Sequence, residues 1–185
     1  MNQVRIIAGK WRSRKISFPD HEGLRPSPAR VRETLFNWLQ SDIKGAACLD
    51  LFAGSGALAV EACSRGAKHA TCLEFDSETA ASIQKNIERL NANEIILLQQ
   101  NALVFLKNNK TNNKYDVVFL DPPFKENLLD TSIALLESNS WLTTRALIYI
   151  ESDQPLERYS LPQNWMLVKQ KKAGHVYYGL CQRDG

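Results

Sequence analysis

Cys48-Leu49-Asp50-Leu51-Phe52-Ala53-Gly54-Ser55-Gly56-Ala57-Leu58 is the stretch that decides the fold of this chain. An apolar strand runs into a glycine-rich turn, and a helix-like stretch follows from Ala57 to Ser64. Glycines there permit positive φ and let a ligand approach the backbone closely. The helix that follows offers unpaired N–H groups at its N-terminus. Taken alone, Gly54-x-Gly56-x-x-Ala59 also satisfies the relaxed dinucleotide fingerprint GxGxxG/A. Asp50, four positions before Gly54, separates the two uses. A carboxylate at the strand end repels a pyrophosphate and attracts the ammonium of an amino-acid moiety. S-adenosylmethionine carries such an ammonium and no phosphate.

Downstream, Thr71-Cys72-Leu73-Glu74-Phe75-Asp76 reads as a second strand ending in acid, with Glu74 eighteen residues past Gly56. An acid there can accept both hydroxyls of a ribose. NAD fits this spacing as well, so it argues for an adenosine ligand and leaves open which one. Asp76 suits the N-cap of the next helix. A third strand, Glu94 to Leu98, leads to Asn101-Ala102, a polar and a small residue that can meet the adenine amino edge. Asn101 equally suits the cap of the helix that starts there.

A fourth strand, Tyr115 to Leu120, runs into Asp121-Pro122-Pro123-Phe124. Two prolines fix two φ angles and remove two N–H donors. A carboxylate before them adds an acceptor-only group, and a phenyl ring after them adds a flat apolar face. That set suits holding a planar NH2 group by its hydrogens while the attached ring is stacked, as for the exocyclic amine of a nucleobase. An isolated DPPF also reads as a strand-ending turn with a core Phe.

The rest of the chain follows the same alternation. Strands are expected near 46–51, 70–75, 94–99, 115–120 and 146–151, with Glu78 to Leu90 and Leu128 to Glu137 as the clearest helices. Trp165–Gln170 and Val176–Gln182 flank Ala173-Gly174 as a β-hairpin. At the N-terminus, Val4–Ile7 and Arg14–Phe18 form a second hairpin around Gly9. Pro19 to Pro28 is a linker. Ser27 is the expected N-cap, with Pro28 at the first helical position, of a helix whose apolar face carries Val31, Leu35, Trp38 and Leu39. The count fits a seven-stranded, mostly parallel sheet with one antiparallel edge strand. The expected division is residues 1–27, a basic hairpin extension and linker, and 28–185, the ligand-binding domain. Asn108 to Asn113 reads as a surface loop.

At 185 residues and 44% hydrophobic content the chain can bury one full core. It has no apolar run of membrane-spanning length and no signal-peptide core at its start, so a cytoplasmic location and no membrane partner are expected. Cys48, Cys63, Cys72 and Cys181 lack CxxC spacing and read as small buried hydrophobes. The three histidines form no ligand pattern, so no metal is expected. The net charge of +3 says little; its distribution says more. Arg5, Lys10, Arg12, Arg14, Lys15, Arg25, Arg30 and Arg32 crowd the N-terminal segment around Trp11, a surface that could track phosphates and stack a base. A solvated face is the plainer use of such a run. Lys169, Lys171 and Lys172 read as hairpin-edge charges that discourage aggregation.

Acid plus Gly loop, ribose acid, adenine-side residue and DPPF, in that order, resemble the class I S-adenosylmethionine-dependent methyltransferases over roughly Ala46 to Glu151. The branch is the amino-group methylating one, marked by (Asp/Asn)-Pro-Pro-(Tyr/Phe/Trp). Arg5-Ile6-Ile7-Ala8-Gly9-Lys10-Trp11-Arg12-Ser13-Arg14-Lys15 and the segment from Leu24-Arg25-Pro26-Ser27 to Trp38-Leu39 extend the resemblance to the RsmD family, from near residue 4 to residue 183. The resemblance implies a Rossmann-like α/β sheet of seven strands and methylation of the exocyclic N2 of a guanine in 16S rRNA. The RNA would be the partner, within an assembling or assembled small ribosomal subunit, and no oligomer is required. S-adenosylmethionine would be bound by Asp50, Phe52, Gly54, Gly56, Glu74, Phe75, Asn101 and Ala102. Asp121, Pro122, Pro123 and Phe124 would be catalytic, and Lys10, Arg12, Arg14, Arg25, Arg30 and Arg32 would bind RNA. Asn101 stands where related enzymes often carry Asp. An ordinary Asp pKa near ~3.9 would make Asp121 a weak base before methyl transfer. Other readings are a DNA adenine-N6 or protein-glutamine methyltransferase using the same loop, an NAD-dependent oxidoreductase using the Gly loop, and a non-enzymatic RNA-binding assembly factor.

Overall fold

The computed structural model of the protein describes residues 1–21, 26–109, 112–124 and 128–185. Arg25, part of the expected linker and the middle of the Asn-rich stretch lie outside the described residues.

The sheet is built from β3 (Ala47–Asp50), β4 (His69–Leu73), β5 (Ile95–Leu98), β6 (Tyr115–Leu120), β7 (Leu142–Ser152), β8 (Trp165–Ala173) and β9 (Val176–Arg183). Its order is β5-β4-β3-β6-β7-β9-β8. Pairings from β5 through β7 are parallel, and β9 runs antiparallel to both β7 and β8. The chain therefore reverses direction across the sheet at β3, with β4 on one side and β6 on the other. The crevice outside such a switch point is where ligands bind in open α/β sheets.

Both faces of the central strands are apolar, as parallel strands covered on two sides must be. Cys48, Val117, Phe119, Leu147 and Tyr149 point to one core, and Leu49, Val118, Leu120, Ile148 and Ile150 to the other. The first core is covered by α1 (Ala29–Trp38), α2 (Ala57–Ser64) and α3 (Ser77–Leu90), the second by α4 (Ala102–Leu106) and α5 (Leu128–Ser138). No helix among the described residues is long and apolar enough to cross a membrane. All four cysteines are free and buried.

The antiparallel strand is not at the edge, as the sequence suggested, but one place in. Four consecutive residues of β9, Tyr178 to Cys181, are buried, whereas β8 leaves Lys169, Gln170, Lys171 and Lys172 exposed. The apolar strand takes the inner place, and the lysine-rich strand faces water, where its charges discourage edge pairing.

The N-terminal hairpin joins β1 (Asn2–Arg5) to β2 (Lys15–Phe18) in antiparallel register. Its Ile6, Trp11 and Ile16 are buried in the same core as the sheet. The contact is close. Gly9 has φ +81°, and a Cβ there would sit 1.7 Å from the Ser64 carbonyl oxygen. The Lys10 N–H donates to that carbonyl at 2.8 Å, and the Trp11 N–H donates to Ser64 Oγ at 3.0 Å. Glu61, in the middle of α2 and fully buried, accepts the N–H groups of Ile7 at 2.8 Å and Ala8 at 3.0 Å. Trp11, expected as a stacking surface, is thus a core residue, 5% exposed.

Candidate active site

Four of the five parallel strands, all but β5, end in acid along one line. Asp50 closes β3, and Glu74 and Asp121 immediately follow β4 and β6. Glu151 lies one residue before the end of β7, beyond the Leu120–Ile150 pair. Adjacent strands lie ~4.8 Å apart, so four carboxyl groups share the carboxyl edge around the switch point. Such a row selects for cations and against a pyrophosphate.

Asp50 is 1% exposed, and neither carboxylate oxygen has a hydrogen-bond partner. Burial pushes its pKa up to about 7; the Ala59 and Phe52 N–H groups lie close enough to pull it back, but neither reaches hydrogen-bond geometry with the carboxylate. An unpaired buried carboxyl is costly in isolation, and a ligand ammonium would supply the missing donors. Beside it the glycine loop turns as expected. Gly54 and Gly56 have φ +51° and +76°, and the Gly56 N–H donates to Ala53 O at 2.7 Å. Gly56 caps α2 without a side chain, which leaves the first N–H groups of α2 facing the loop.

Glu74 steadies this loop. Its Oε2 accepts the Gly54 N–H at 2.9 Å and its Oε1 the Asp76 N–H at 2.9 Å. Each carboxylate oxygen retains a lone pair for a ribose hydroxyl. Burial raises the Glu74 pKa, opposed by these N–H donors. Phe75, the next residue, is 73% exposed, a large flat apolar side chain at the rim with nothing packed over it. Phe52 is half-buried and Ala102 buried. Asp76 is the N-cap of α3, accepting the Thr79 N–H at 2.8 Å. Asn101 resolves toward its capping role. Its Oδ1 accepts the N–H groups of Leu103 at 3.0 Å and Val104 at 3.1 Å. The oxygen expected at the adenine amino group is committed to α4.

At the DPPF loop Pro122 is buried while Pro123 and Phe124 are exposed, Phe124 to 43%. Asp121 is only partly accessible and is tied to residues the sequence did not single out. Ser27, expected as the cap of α1, makes no cap bond; Pro28 takes that position without a side-chain hydrogen bond. The Ser27 hydroxyl instead lies 3.0 Å from Glu151 Oε2 and 3.2 Å from Asp121 Oδ2. The Tyr149 hydroxyl donates to Glu151 Oε2 at 2.7 Å. Burial, reinforced by the neighbouring Glu151 charge, holds Asp121 well above the ordinary carboxylate range, and burial raises Glu151 too. The weak base expected from an ordinary aspartate is thus replaced by one of a crowded carboxyl pair.

The cationic residues divide. Arg30 is exposed on the first turn of α1, three residues from Ser27 and hence at the catalytic end. Arg32, expected at RNA, is 2% exposed; its Nη2 donates to Arg5 O at 3.0 Å, its Nε to Ser27 O at 3.3 Å, and its Nη1 lies 3.6 Å from Glu61 Oε2. It is a buried clamp between α1, the hairpin and α2, and cannot reach RNA. Lys10, Arg12 and Arg14 are exposed but sit at the other end of the molecule. Lys10 pairs with Glu94 just before β5, and Arg14 donates to the Arg89 carbonyl near the end of α3. The eight residues of α2 separate that tip from the glycine loop, about 12 Å at 1.5 Å per residue. Conversely, the β8–β9 turn lies at the catalytic end. Tyr178 pairs with Glu151 and Tyr177 with Ser152, and Lys171 and Lys172 pair with Tyr178 and Tyr177 from the next strand. These exposed lysines, first read as edge charges, stand about 10 Å from the Glu151 strand, two strand spacings away.

A family model described as conserved hypothetical protein 95 matches residues 4–182. The chain is 48% identical to the ribosomal RNA small subunit methyltransferase D of Escherichia coli K12 over 182 residues, covering 98% of this chain and 91% of that protein. It is 48% identical to the protein of the same name in Haemophilus influenzae, covering 97% and 94%. Among solved structures, a putative methyltransferase of Escherichia coli superposes with a TM-score of 0.89 at 47% identity, covering 99% of each chain.

Proposed function

We propose, on the premise that this chain belongs to the RsmD family of small-subunit ribosomal RNA methyltransferases, that it methylates the exocyclic N2 of a guanine in 16S rRNA with S-adenosylmethionine as donor. The observation that carries this reading is the pairing of an orphaned, buried Asp50 at the glycine loop with Asp121 on the adjacent strand. One carboxyl asks for an ammonium; the other, next to two prolines and an exposed phenyl ring, suits an NH2 group on a stacked base.

Asp50 and the α2 N-terminus would hold the amino-acid end of the donor, Glu74 its ribose, and Phe75, Asn101 and Ala102 its adenine. The donor supplies an electrophilic sulfonium methyl. The rest is the work of this chain. The N2 lone pair of guanine is delocalised into the ring and is a poor nucleophile. Asp121 and the Pro122 carbonyl accept the two N2 hydrogens, which aligns the lone pair with the methyl and favours rehybridisation; the gain comes from positioning and electrostatics. Phe124 stacks on a base drawn out of its helix or loop, at a cost of a few kcal/mol when it is paired. The acidic row disfavours the pyrophosphate of NAD, which removes the support for an oxidoreductase. A non-enzymatic RNA-binding role gives Asp50 no reason to be buried without partners.

Arg30 and the lysines of the β8–β9 turn contact phosphates next to the target. Arg12 and Arg14 contact phosphates farther away. That separation suits a folded RNA, as within a small ribosomal subunit, better than a short single strand. The test is direct: supply labelled S-adenosylmethionine and small-subunit RNA, free or in particles, digest, and identify the nucleoside. N2-methylguanosine is expected, and Asp121→Ala should cut kcat by roughly 10²–10⁴ with cofactor affinity nearly unchanged. N6-methyladenosine would overturn the substrate, and wild-type turnover in Asp121→Ala would overturn the role of the loop.

A further inference from the structure

We infer that Glu151, acting through the Ser27 hydroxyl, is the final acceptor of the proton that guanine N2 must lose, with Asp121 as the intermediate carrier. The inference rests on the functional reading above.

The argument begins with hydrogen counting. The Ser27 hydroxyl stands between Glu151 Oε2 at 3.0 Å and Asp121 Oδ2 at 3.2 Å. It has one hydrogen and cannot donate to both. Both contacts are hydrogen bonds only if one carboxyl is protonated and donates back to Ser27 Oγ. Glu151 Oε2 already accepts the Tyr149 hydroxyl at 2.7 Å, so two O–H donors favour the charge on Glu151 and the proton on Asp121. Two crowded carboxyls that hold one proton between them are a recurring arrangement. The directions agree: Asp121 is driven up by burial, the Glu151 charge and Asp50 and pulled back by Ser27, while Glu151 is driven up by burial and pulled back by Tyr149 as well as Ser27.

The other groups around the pair are Asp50 on β3, Tyr178 on β9 beside Tyr149, Arg32 on α1, whose Nε donates to the Ser27 carbonyl at 3.3 Å, and Asp153 and Tyr159, which line a cavity with Glu151. None of these stands between the two carboxyls. Glu151 itself is 4% exposed, and its contacts with the DPPF carboxyl run through the Ser27 hydroxyl.

The proton then has a complete path. The N2 lone pair forms the N–C bond, the C–S electron pair stays on sulfur, and N2 becomes a cation with one hydrogen too many. Asp121 Oδ1, which accepts the N2 hydrogen bond, takes that proton. Oδ2 gives its own proton to Ser27 Oγ, and Ser27 passes its original hydrogen to Glu151 Oε2. Asp121 ends neutral with its proton on Oδ1 in place of Oδ2, Ser27 ends as a hydroxyl, Glu151 ends protonated, and the methylated amine is neutral. Burial raises the Glu151 pKa, which makes it a stronger base than an ordinary carboxylate and suits this task.

The test is single-turnover methyl transfer to small ribosomal subunits that lack the modification, followed from acid to alkaline pH, with S-adenosylmethionine affinity measured separately. The wild-type rate should rise with pH to a plateau as Glu151 ionises. Glu151→Gln keeps both acceptor contacts but cannot take a proton. It should be slower by about 10²-fold, the lower range for general-base catalysis, and lose the acid limb while binding the cofactor normally. Tyr149→Phe removes a donor from the Glu151 anion and should move the limb to higher pH, which a purely structural role would not do. Ser27→Ala should match Glu151→Gln. The relay is overturned by wild-type rate and pH profile in Glu151→Gln, or by a Tyr149→Phe profile that superposes on the wild type. A wild-type protein that moves no methyl to guanine N2 overturns the functional reading itself, which is a separate failure.

Discussion

Replacing Asp50 by Asn should stabilise the free protein and weaken cofactor binding in the same variant. The structure gives the size of the effect. Asp50 is buried without hydrogen-bond partners, and its pKa is pushed from an ordinary 3.8 up to about 7. At about 1.4 kcal/mol per pH unit, holding the ionised form in the fold costs roughly 4 kcal/mol. The sign follows from proton binding. Between pH 3.8 and about 7 the native state holds the Asp50 proton more tightly than the unfolded chain does, so stability falls as pH rises through that window. Below it the cost vanishes, and above it the cost is full. Asn carries no charge, so the stability gap between Asp50→Asn and wild type should be small near the lower limit and reach a few kcal/mol above the upper one. Chemical denaturation of the ligand-free proteins at both limits measures this difference, and the neighbouring acids largely cancel because they are common to both. The second half of the experiment adds S-adenosylmethionine. Its ammonium would neutralise the buried charge, so wild type should gain stability that Asp50→Asn does not, and affinity should drop by about the 1.5–3 kcal/mol of a lost charged hydrogen bond. A variant with no stability advantage at high pH and unchanged cofactor affinity would refute both the burial argument and the ligand assignment.

Two further outcomes follow from the same geometry. Glu61→Gln should leave Arg32 buried beside a neutral partner and lose about 3–5 kcal/mol of stability, read by urea denaturation; a loss under about 1 kcal/mol would mean the clamp behaves like a surface pair. For RNA, reversing Arg30, Lys171 and Lys172 to Glu should weaken binding and flatten its salt dependence more than reversing Arg12 and Arg14. Filter binding across a salt series checks the order, and the reverse order would place the target-proximal phosphates at the N-terminal tip.

Much of the site was legible because it is local. Positive φ at Gly54 and Gly56, the acids Asp50, Glu74 and Asp121 at three strand ends and the cap at Asp76 depend on residues within a few positions of one another, and the βα alternation carries them to one edge of the sheet. Glu151, the fourth carboxyl, joins that row only through the strand order of the sheet. What stayed hidden depends on contacts between distant segments. Ser27 looked like a helix cap because its neighbours are those of a cap, yet its hydroxyl meets Asp121 and Glu151, 94 and 124 residues away. Arg32 and Trp11 sat in a basic run that reads as surface, but Glu61 and Ser64 on α2 draw that run inward. Charge count along a chain carries no direction, so only packing could place Arg12 and Arg14 at the far end of the molecule and Lys171 and Lys172 beside the acidic edge of the sheet. The sequence by itself determined the strand-loop-helix units and the chemistry at their ends, because those follow from backbone conformation and nearest neighbours. The tertiary structure alone decided which buried carboxyls meet at one hydroxyl and which cations stand beside the acidic edge, because both depend on distance and burial across the fold.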